Sequence, residues 1–542
     1  MFRAPDSSAI GPAIASFALT ALAIAGAWWW LGAPVQLPKV DAGSSQLYCL
    51  SYAPFRGAQN PMVEGTRVDA SQIDEDLALL AKYTNCIRTY SVDDGRDDVL
   101  KSARRYGLKV LHGIWVSHDA DKTRQQVQTT IALAKAYPDV IKAVVVGNEV
   151  LLRGEMSAAT LAGIIREVKA AVPMPVTYAD VWEFWLRYPD VQNAVDFVTV
   201  HILPYWEDFP IPASRAAEHV ADIRGRVAAA FPGKEIVVGE FGWPSQGRMR
   251  EGARPSPSNQ ALALTETLAL AAREHFQLNV IEAFDQPWKR ALEGTVGGYW
   301  GIIDRTTGAP KFNLTGGSVS DHPNWTTQAA AGIILTALAF AGAAAAARRK
   351  RVSGRQWALI AGMLFVSTVA FGWTLETVAV ESFSLGSWLR SLAFAAAAAA
   401  APIVCASGCA AGRPVPAFAD LIGGRARLRD GFDWALGGTL ILTMVVAVEA
   451  ALGLVFDPRY RDIPFAPLTA AALPYLALSF TAPRPGIRRS VAESVAAALL
   501  VVCAAYIVVN ESFANWQAAW FCAGAVVLAL SLVRGRDAPG SE

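Results

Sequence analysis

Three observations predict an α/β fold, a (β/α)8 TIM barrel, joined to a multi-span α-helical membrane domain. First, the 542 residues change character partway: from about 40 to 320 the chain mixes charge with hydrophobicity, and from about 326 it runs in long Ala/Leu/Val stretches broken by short polar loops. Second, the mixed part alternates short β-branched runs with helical patterns, at the size and rhythm of an eightfold strand–helix barrel. Third, the runs end on polar or aromatic residues, which suits a barrel that gathers its chemistry at the carboxyl ends of its strands.

In chain order, residues 1–8 read as a cytoplasmic head and 9–31 as a transmembrane anchor. The apolar run exceeds 20 residues and closes on "AWWWLGAP", with Trp28, Trp29 and Trp30 suited to a membrane interface. A cleaved leader would have a shorter core and a small-residue exit. Residues 40–320 form the exported barrel. Its expected strands are 46–52 "QLYCLSY", 86–91 "CIRTYS", 109–116 "KVLHGIWV", 143–148 "AVVVGN", 175–180 "PVTYAD", 196–202 "DFVTVHI", 235–240 "EIVVGE" and 279–285 "NVIEAFD". Patterns such as "RQQVQTTIALAKAY" between them repeat apolar residues at three and four, as helices do. The connection "VWEFWLRYPDVQNA" is the least regular. A doubly wound sheet would need a glycine-rich first turn, which "SYAPFRGAQNP" lacks.

Residues 326–533 form a seven-span membrane domain, with spans near 329–347, 357–375, 388–411, 434–456, 466–482, 491–509 and 516–533, and 534–542 a cytoplasmic tail. "RRKRVSGR", "GRARLR", "PRPGIRR" and "RGR" fall on alternate loops, which makes that side cytoplasmic by the positive-inside rule. Counting the anchor gives eight spans with both ends inside and the barrel outside. Glu449 lies in a span and reads as a packing or interfacial acid. Cys405, Cys409, Cys503 and Cys522 are apolar fillers of spans. Cys49 and Cys86 lie in the exported part, where a disulfide is permitted; their pairing is left open, with free thiols favoured. No His and Cys set has metal-ligand spacing, so neither metal nor cofactor is expected. The net charge of +1 carries no information by itself, and no nucleic-acid partner is expected.

Two strand ends carry acids: Glu149 in "VVVGNEV" after the fourth strand and Glu240 in "GEFGWPS" at the seventh, nearly opposite across an eight-stranded mouth. Two facing carboxyl groups are what glycoside hydrolysis needs, one to protonate the leaving oxygen and one to attack the anomeric carbon. Their surroundings must then differ. Asn148 is placed to bond a sugar 2-OH, and Arg88 and Tyr178 to keep Glu240 ionised and oriented. Tyr52, His201, Tyr205, Trp206, Trp243, Trp288 and Lys289 complete the expected substrate-binding set, and Trp182, Trp185, Tyr299 and Trp300 crowd the same rim.

"VVVGNEV", "GEFGWPS", "LPYW", "FDQPWK" and "YWGIID" resemble glycoside hydrolase family 17, the retaining β-1,3-glucanases and β-1,3-glucanosyltransferases, over residues 46–313. The resemblance implies Glu149 as acid/base and Glu240 as nucleophile. Leu203 stands where many members have Tyr, and His201 adds an imidazole. The span-rich half is similar to the inner-membrane β-(1,6)-glucan synthase proteins of α-proteobacteria, implicated in cyclic β-(1,3),(1,6)-glucan synthesis. That implies a bacterial inner-membrane enzyme with a periplasmic barrel, a β-glucan substrate, and a glucan synthase or exporter as partner. A sugar-nucleotide synthase would need the acids of "SVDDGRDD" in the cytoplasm, on the wrong side. A glucan-binding transporter or sensor would keep the aromatics but need not retain both glutamates.

Overall fold

The computed structural model describes residues 10–39, 47–93, 95–347, 352–422, 430–481 and 490–534. The chain divides into two compact units, Val35–Gly247 with Gly252–Val319, and Met1–Pro34 with Arg248–Glu251 and Ser320–Glu542.

In the first unit eight parallel strands close on themselves: β1 (Cys49–Ser51), β2 (Cys86–Arg88), β3 (Lys109–Ile114), β4 (Ile141–Asn148), β5 (Val176–Val181), β6 (Val198–His201), β7 (Ile236–Phe241) and β8 (Leu278–Val280). Closure comes from β1 beside β8, with Cys49 opposite Asn279 and Leu50 opposite Val280. Alternate strand residues face opposite ways. Val110, Ile114, Val144 and Val146 turn outward into one large core with helix residues such as Leu77, Leu161 and Ile165. Cys49, Cys86, Leu111, Ala143, Val145 and Ala179 form a separate cluster of strand residues that fills the barrel interior.

In that interior Cys49 and Cys86 are joined as a disulfide, against the expectation of free thiols. The reason is register: both begin adjacent parallel strands and face the same way, which brings their Cα atoms to 4.4 Å.

Helices Ala120–Ala136, Ala158–Ala171 and Pro257–Glu274 begin on Asp119, Ser157 and Ser256, whose side chains accept first-turn N–H groups. The irregular connection holds a six-residue helix, Trp182–Arg187, and a 3-10 turn, Pro189–Asn193. The last strand is shorter than expected. Beyond Val280 the backbone turns to the loop at Trp300, where the Glu282 N–H donates to the Trp300 carbonyl (3.2 Å). Outside the barrel, Val35–Leu37 pairs antiparallel with Gly317–Val319.

The second unit is helical. Among the described residues seven helices are long and apolar enough to cross a membrane: Gly11–Leu31, Trp325–Ala347, Gly354–Glu381, Leu385–Ala411, Gly431–Phe456, Val491–Glu511 and Trp516–Val533. The sequence led us to expect eight. The remaining apolar helix, Phe465–Thr481, has 17 described residues, a rise of about 26 Å against a hydrocarbon core of about 30 Å. It packs against Gly354–Glu381, Leu385–Ala411 and Trp516–Val533 and is buried along most of its length. Glu449 does have partners, Arg461 at 3.2 Å and Arg390 at 4.0 Å, which spacing along one helix did not reveal. The head, most of the tail, and the basic loops at 348–351, 424–429, 483–489 and 535–536 lie outside the described residues.

Candidate active site

The motif Gly147-Asn148-Glu149 is a turn out of β4. Gly147 has φ 89°, and a Cβ there would stand 2.6 Å from Val150 Cγ2. Glu149 itself has φ 52°, a left-handed conformation that costs a non-glycine residue of order 1–2 kcal/mol. Surrounding bonds hold it: its N–H donates to the Ala179 carbonyl (2.8 Å), and its carbonyl accepts from the Arg153 N–H (2.9 Å). Just beyond, the Leu151 N–H donates to the Tyr178 hydroxyl (3.0 Å). Such strain concentrates where function fixes a side chain.

Glu240 comes from β7 and is the more enclosed acid, its side chain 5% exposed against 22% for Glu149. Arg88, on β2, reaches up the barrel to it. Its Nη1 donates to Glu240 Oε1 (3.1 Å) and to the Gly239 carbonyl (2.7 Å), while Nη2 donates to Asn148 Oδ1 (2.6 Å). Tyr90 adds a hydroxyl donor to Glu240 Oε1 at 2.9 Å and lies 2.8 Å from Ser51 Oγ. His201, at the end of β6, has Nδ1 2.9 Å from Glu149 Oε1 and Nε2 3.5 Å from Glu240 Oε1. An oxygen of Glu149, a nitrogen of His201 and an oxygen of Glu240 all lie within 4.8 Å of one another.

Charge differs across this site. Burial alone would raise the Glu149 carboxyl, but the His201 hydrogen bond and the Arg88 and Arg153 cations outweigh it and hold Glu149 below its ordinary value. Burial pushes Asp180 up to about 6, and Tyr178 hydrogen-bonds it. Burial pushes Glu282 up to about 7 even though Lys289 Nζ lies 3.0 and 3.1 Å from its oxygens. Burial likewise raises Glu293, with the charges of Glu149 and Glu240 adding to it.

The structure gathers Glu149, Glu240, Arg88, Asn148 and His201 at one point. Tyr178 belongs elsewhere: its hydroxyl bonds Asp180 and the Leu151 N–H, so it supports the turn under Glu149 rather than orienting Glu240. Tyr52 is fully buried and donates to Asp76 (3.1 Å). Tyr205 and Trp243 are also fully buried, with Trp243 Nε1 on the Arg254 carbonyl (3.1 Å). These three fully buried rings offer no face to a sugar; Tyr205 is packed edge-on against Trp206, Trp243 and Trp300. Trp206 and Trp288 remain half-buried, as does Lys289. Tyr90, Ser51, Asp180, Arg153, Glu282 and Glu293 were missed as parts of the site. Tyr90 and Asp180 carried a signal, as polar residues at the ends of the second and fifth expected strands.

Paired glutamates at the carboxyl ends of β4 and β7 in a closed parallel barrel are an arrangement suited to glycoside hydrolysis. Residues 49–301 match the family model described as the BtgE/BtgC glycoside hydrolase domain. Over the barrel, then, the resemblance to a glycoside hydrolase read from the strand-end motifs holds. The chain is 28% identical over 242 residues to a probable beta-glucosidase btgE of Neosartorya fischeri, covering 43% of each chain. It is 29% identical to a glucan 1,3-beta-glucosidase of Schizosaccharomyces pombe, over 44% of this chain and 79% of that one. The crystal structure of a glycoside hydrolase family 17 beta-1,3-glucanosyltransferase from Rhizomucor miehei superposes with TM-score 0.44 at 23% identity, over 49% of this chain and 97% of that one. The chain thus spans less than half the length of the btgE relative.

Proposed function

We propose that the barrel is a retaining β-1,3-glucan-active enzyme in which Glu240 is the nucleophile and Glu149 the acid/base. The observation that carries this reading is the short approach of the two carboxylates, within 4.8 Å. Retaining enzymes hold their carboxyl groups about 5–5.5 Å apart, whereas inverting enzymes leave about 6.5–9.5 Å for a water. In the first step Glu240 attacks the anomeric carbon while Glu149 gives its proton to the departing glycosidic oxygen. In the second, Glu149 takes a proton from water or from a sugar hydroxyl, which attacks the same carbon and frees Glu240. Arg88 and Tyr90 bind the Glu240 oxygen and orient it for attack. Arg88 also fixes the Asn148 carbonyl oxygen, which turns the amide NH2 of Asn148 toward the sugar 2-OH. Half-buried Trp206 and Trp288 offer ring faces for stacking, with Lys289 beside them.

Transfer to a sugar 6-OH would make β-1,6 linkages without a nucleotide sugar, and we read the protein as a remodeller of the cell's own, cyclic glucan. The setting we propose is a bacterial inner membrane, multi-pass, with the barrel in the periplasm and a glucan synthase or exporter as partner. The basic loops support that orientation, and the Cys49–Cys86 disulfide suits an oxidising compartment. The bacterial setting rests on the resemblance of the span-rich half. The same reading divides the chain at the boundaries given above: head, anchor, barrel at 40–320, membrane domain at 326–533 and tail.

The test is to incubate the full chain, in detergent or nanodiscs, with linear β-1,3-gluco-oligosaccharides and to size and linkage-map the products. Longer products with 6-linked residues support transfer, and only shorter ones make the protein a hydrolase. Glu240→Gln is expected to lose at least about 100-fold in rate; turnover unchanged in that variant would overturn the assignment.

A further inference from the structure

Among the described residues His201 touches the acid/base, the nucleophile's carboxylate and the arginine between them. Its own side chain is fully buried. The chain makes deliberate room for it: a Cβ on Gly239 would stand 2.3 Å from Thr199 Cγ2 and 3.2 Å from His201 Cδ2. The register between β6 and β7 shifts between Val200 and His201, which re-aims the imidazole toward the mouth beside Glu240.

The neighbours also favour one tautomer. Arg88 Nη1 lies 3.2 Å from His201 Nε2, and a guanidinium can only donate. A proton on Nε2 would face that cation, so the tautomer that suits the site carries the ring proton on Nδ1, with Nδ1–H donating to Glu149 at 2.9 Å. The Arg88 guanidinium thus biases which way the imidazole points its proton.

Resting on the retaining reading above, we propose that His201 is a positioning residue that biases Glu149 toward its carboxylate, the form needed as general base. In the second step Glu149 must draw a proton from the incoming hydroxyl, and a standing donor favours the starting carboxylate of that step. In the first step the same bond works against the acid form, so cleavage of an unactivated glucan is confined to lower pH. The other groups facing Glu149 are Arg88 from β2, Arg153 from the turn after β4, Asp180 and Tyr178 from β5, Glu240 from β7, and Glu293 from the helix after β8. Arg88 and Arg153 act in the same sense as His201, and the acids oppose it.

The test compares pH profiles of kcat/KM for the full chain on a β-1,3-gluco-oligosaccharide and on a 2,4-dinitrophenyl β-glucoside, whose leaving group needs no acid. In His201→Leu and in His201→Gln, which offers no donor at the Nδ1 position, the basic limb on the oligosaccharide should rise. The expected move is roughly one to two pH units, the size of a charge-assisted hydrogen bond lost from one protonation state. The limb on the dinitrophenyl substrate should stay put. His201→Asn, whose amide N–H falls near Nδ1, should keep the wild-type limb on both. An even loss of rate at all pH values, or equal shifts on both substrates, would overturn the proposal while leaving the retaining reading intact. A wild-type chain that cleaves neither substrate would instead sink the retaining reading itself.

Discussion

Arg88 shows how much a single side chain carries here. It is 1% exposed and binds Glu240, Asn148, His201 and the Gly239 carbonyl together. Replacing it by Met leaves Glu240 buried without its cation, a loss of about 3–5 kcal/mol when one partner of a buried pair is removed. Arg88→Met should therefore both melt early and lose turnover; a variant with wild-type melting would show the pair to be dispensable to the fold. Polar residues at strand ends were legible because a barrel collects them at one rim, and strand order alone put Glu149 opposite Glu240. What could not be read was side-chain direction. Tyr52, Tyr178, Tyr205 and Trp243 end or follow strands just as Arg88 does, yet their rings are taken up by other side chains: Tyr52 by Asp76, Tyr178 by Trp185, and Tyr205 and Trp243 by each other. Tyr90 went the other way and joined Glu240: two residues beyond Arg88, it continues the same inward face.

At the scale of the element, the strongest single constraint on β1 and β2 is the bond between Cys49 and Cys86, which closes a loop with a sequence separation of 37. In the chain-entropy view such a closure stabilises by about 4 kcal/mol. Reduction, or the double change Cys49→Ser with Cys86→Ser, should lower the barrel's melting temperature by several degrees, measured by circular dichroism; no change would mean the interior holds the strands unaided. Because Ser51 and Arg88 lie two residues beyond the cysteines on the same faces, the disulfide also fixes the strands that bear part of the site. The sequence revealed the strands and even the irregular fifth connection, because β-branched runs and helical periods are local signals. The pairing escaped it because register between strands is a tertiary fact. The same holds for Phe465–Thr481, where hydropathy marks an apolar helix but not its burial among other helices.

At the scale of the whole molecule, the change in composition near residue 320 was enough to separate barrel from bundle, while the salt bridges of Glu449 depended on packing. The barrel's stability should also depend on pH. Asp180, Glu183 and Glu282 sit near 6, 7 and 7, chiefly through burial, so between the ordinary carboxylate range and pH 7 the folded barrel binds more protons than the unfolded chain. Stability then falls as pH rises through that window. Glu149, held below its ordinary value, has the opposite sense, and its contribution is lost as pH falls through its folded value. A melting temperature higher at pH 5 than at pH 8 is expected, and the reverse order would contradict these burials.

The ribbon of Val35–Leu37 against Gly317–Val319 has a further consequence. It sets the two ends of the unit that holds the barrel side by side, while Arg248–Glu251 groups with the helical unit. Joining those two ends to neighbouring positions of an unrelated host should therefore not stretch the barrel's strands.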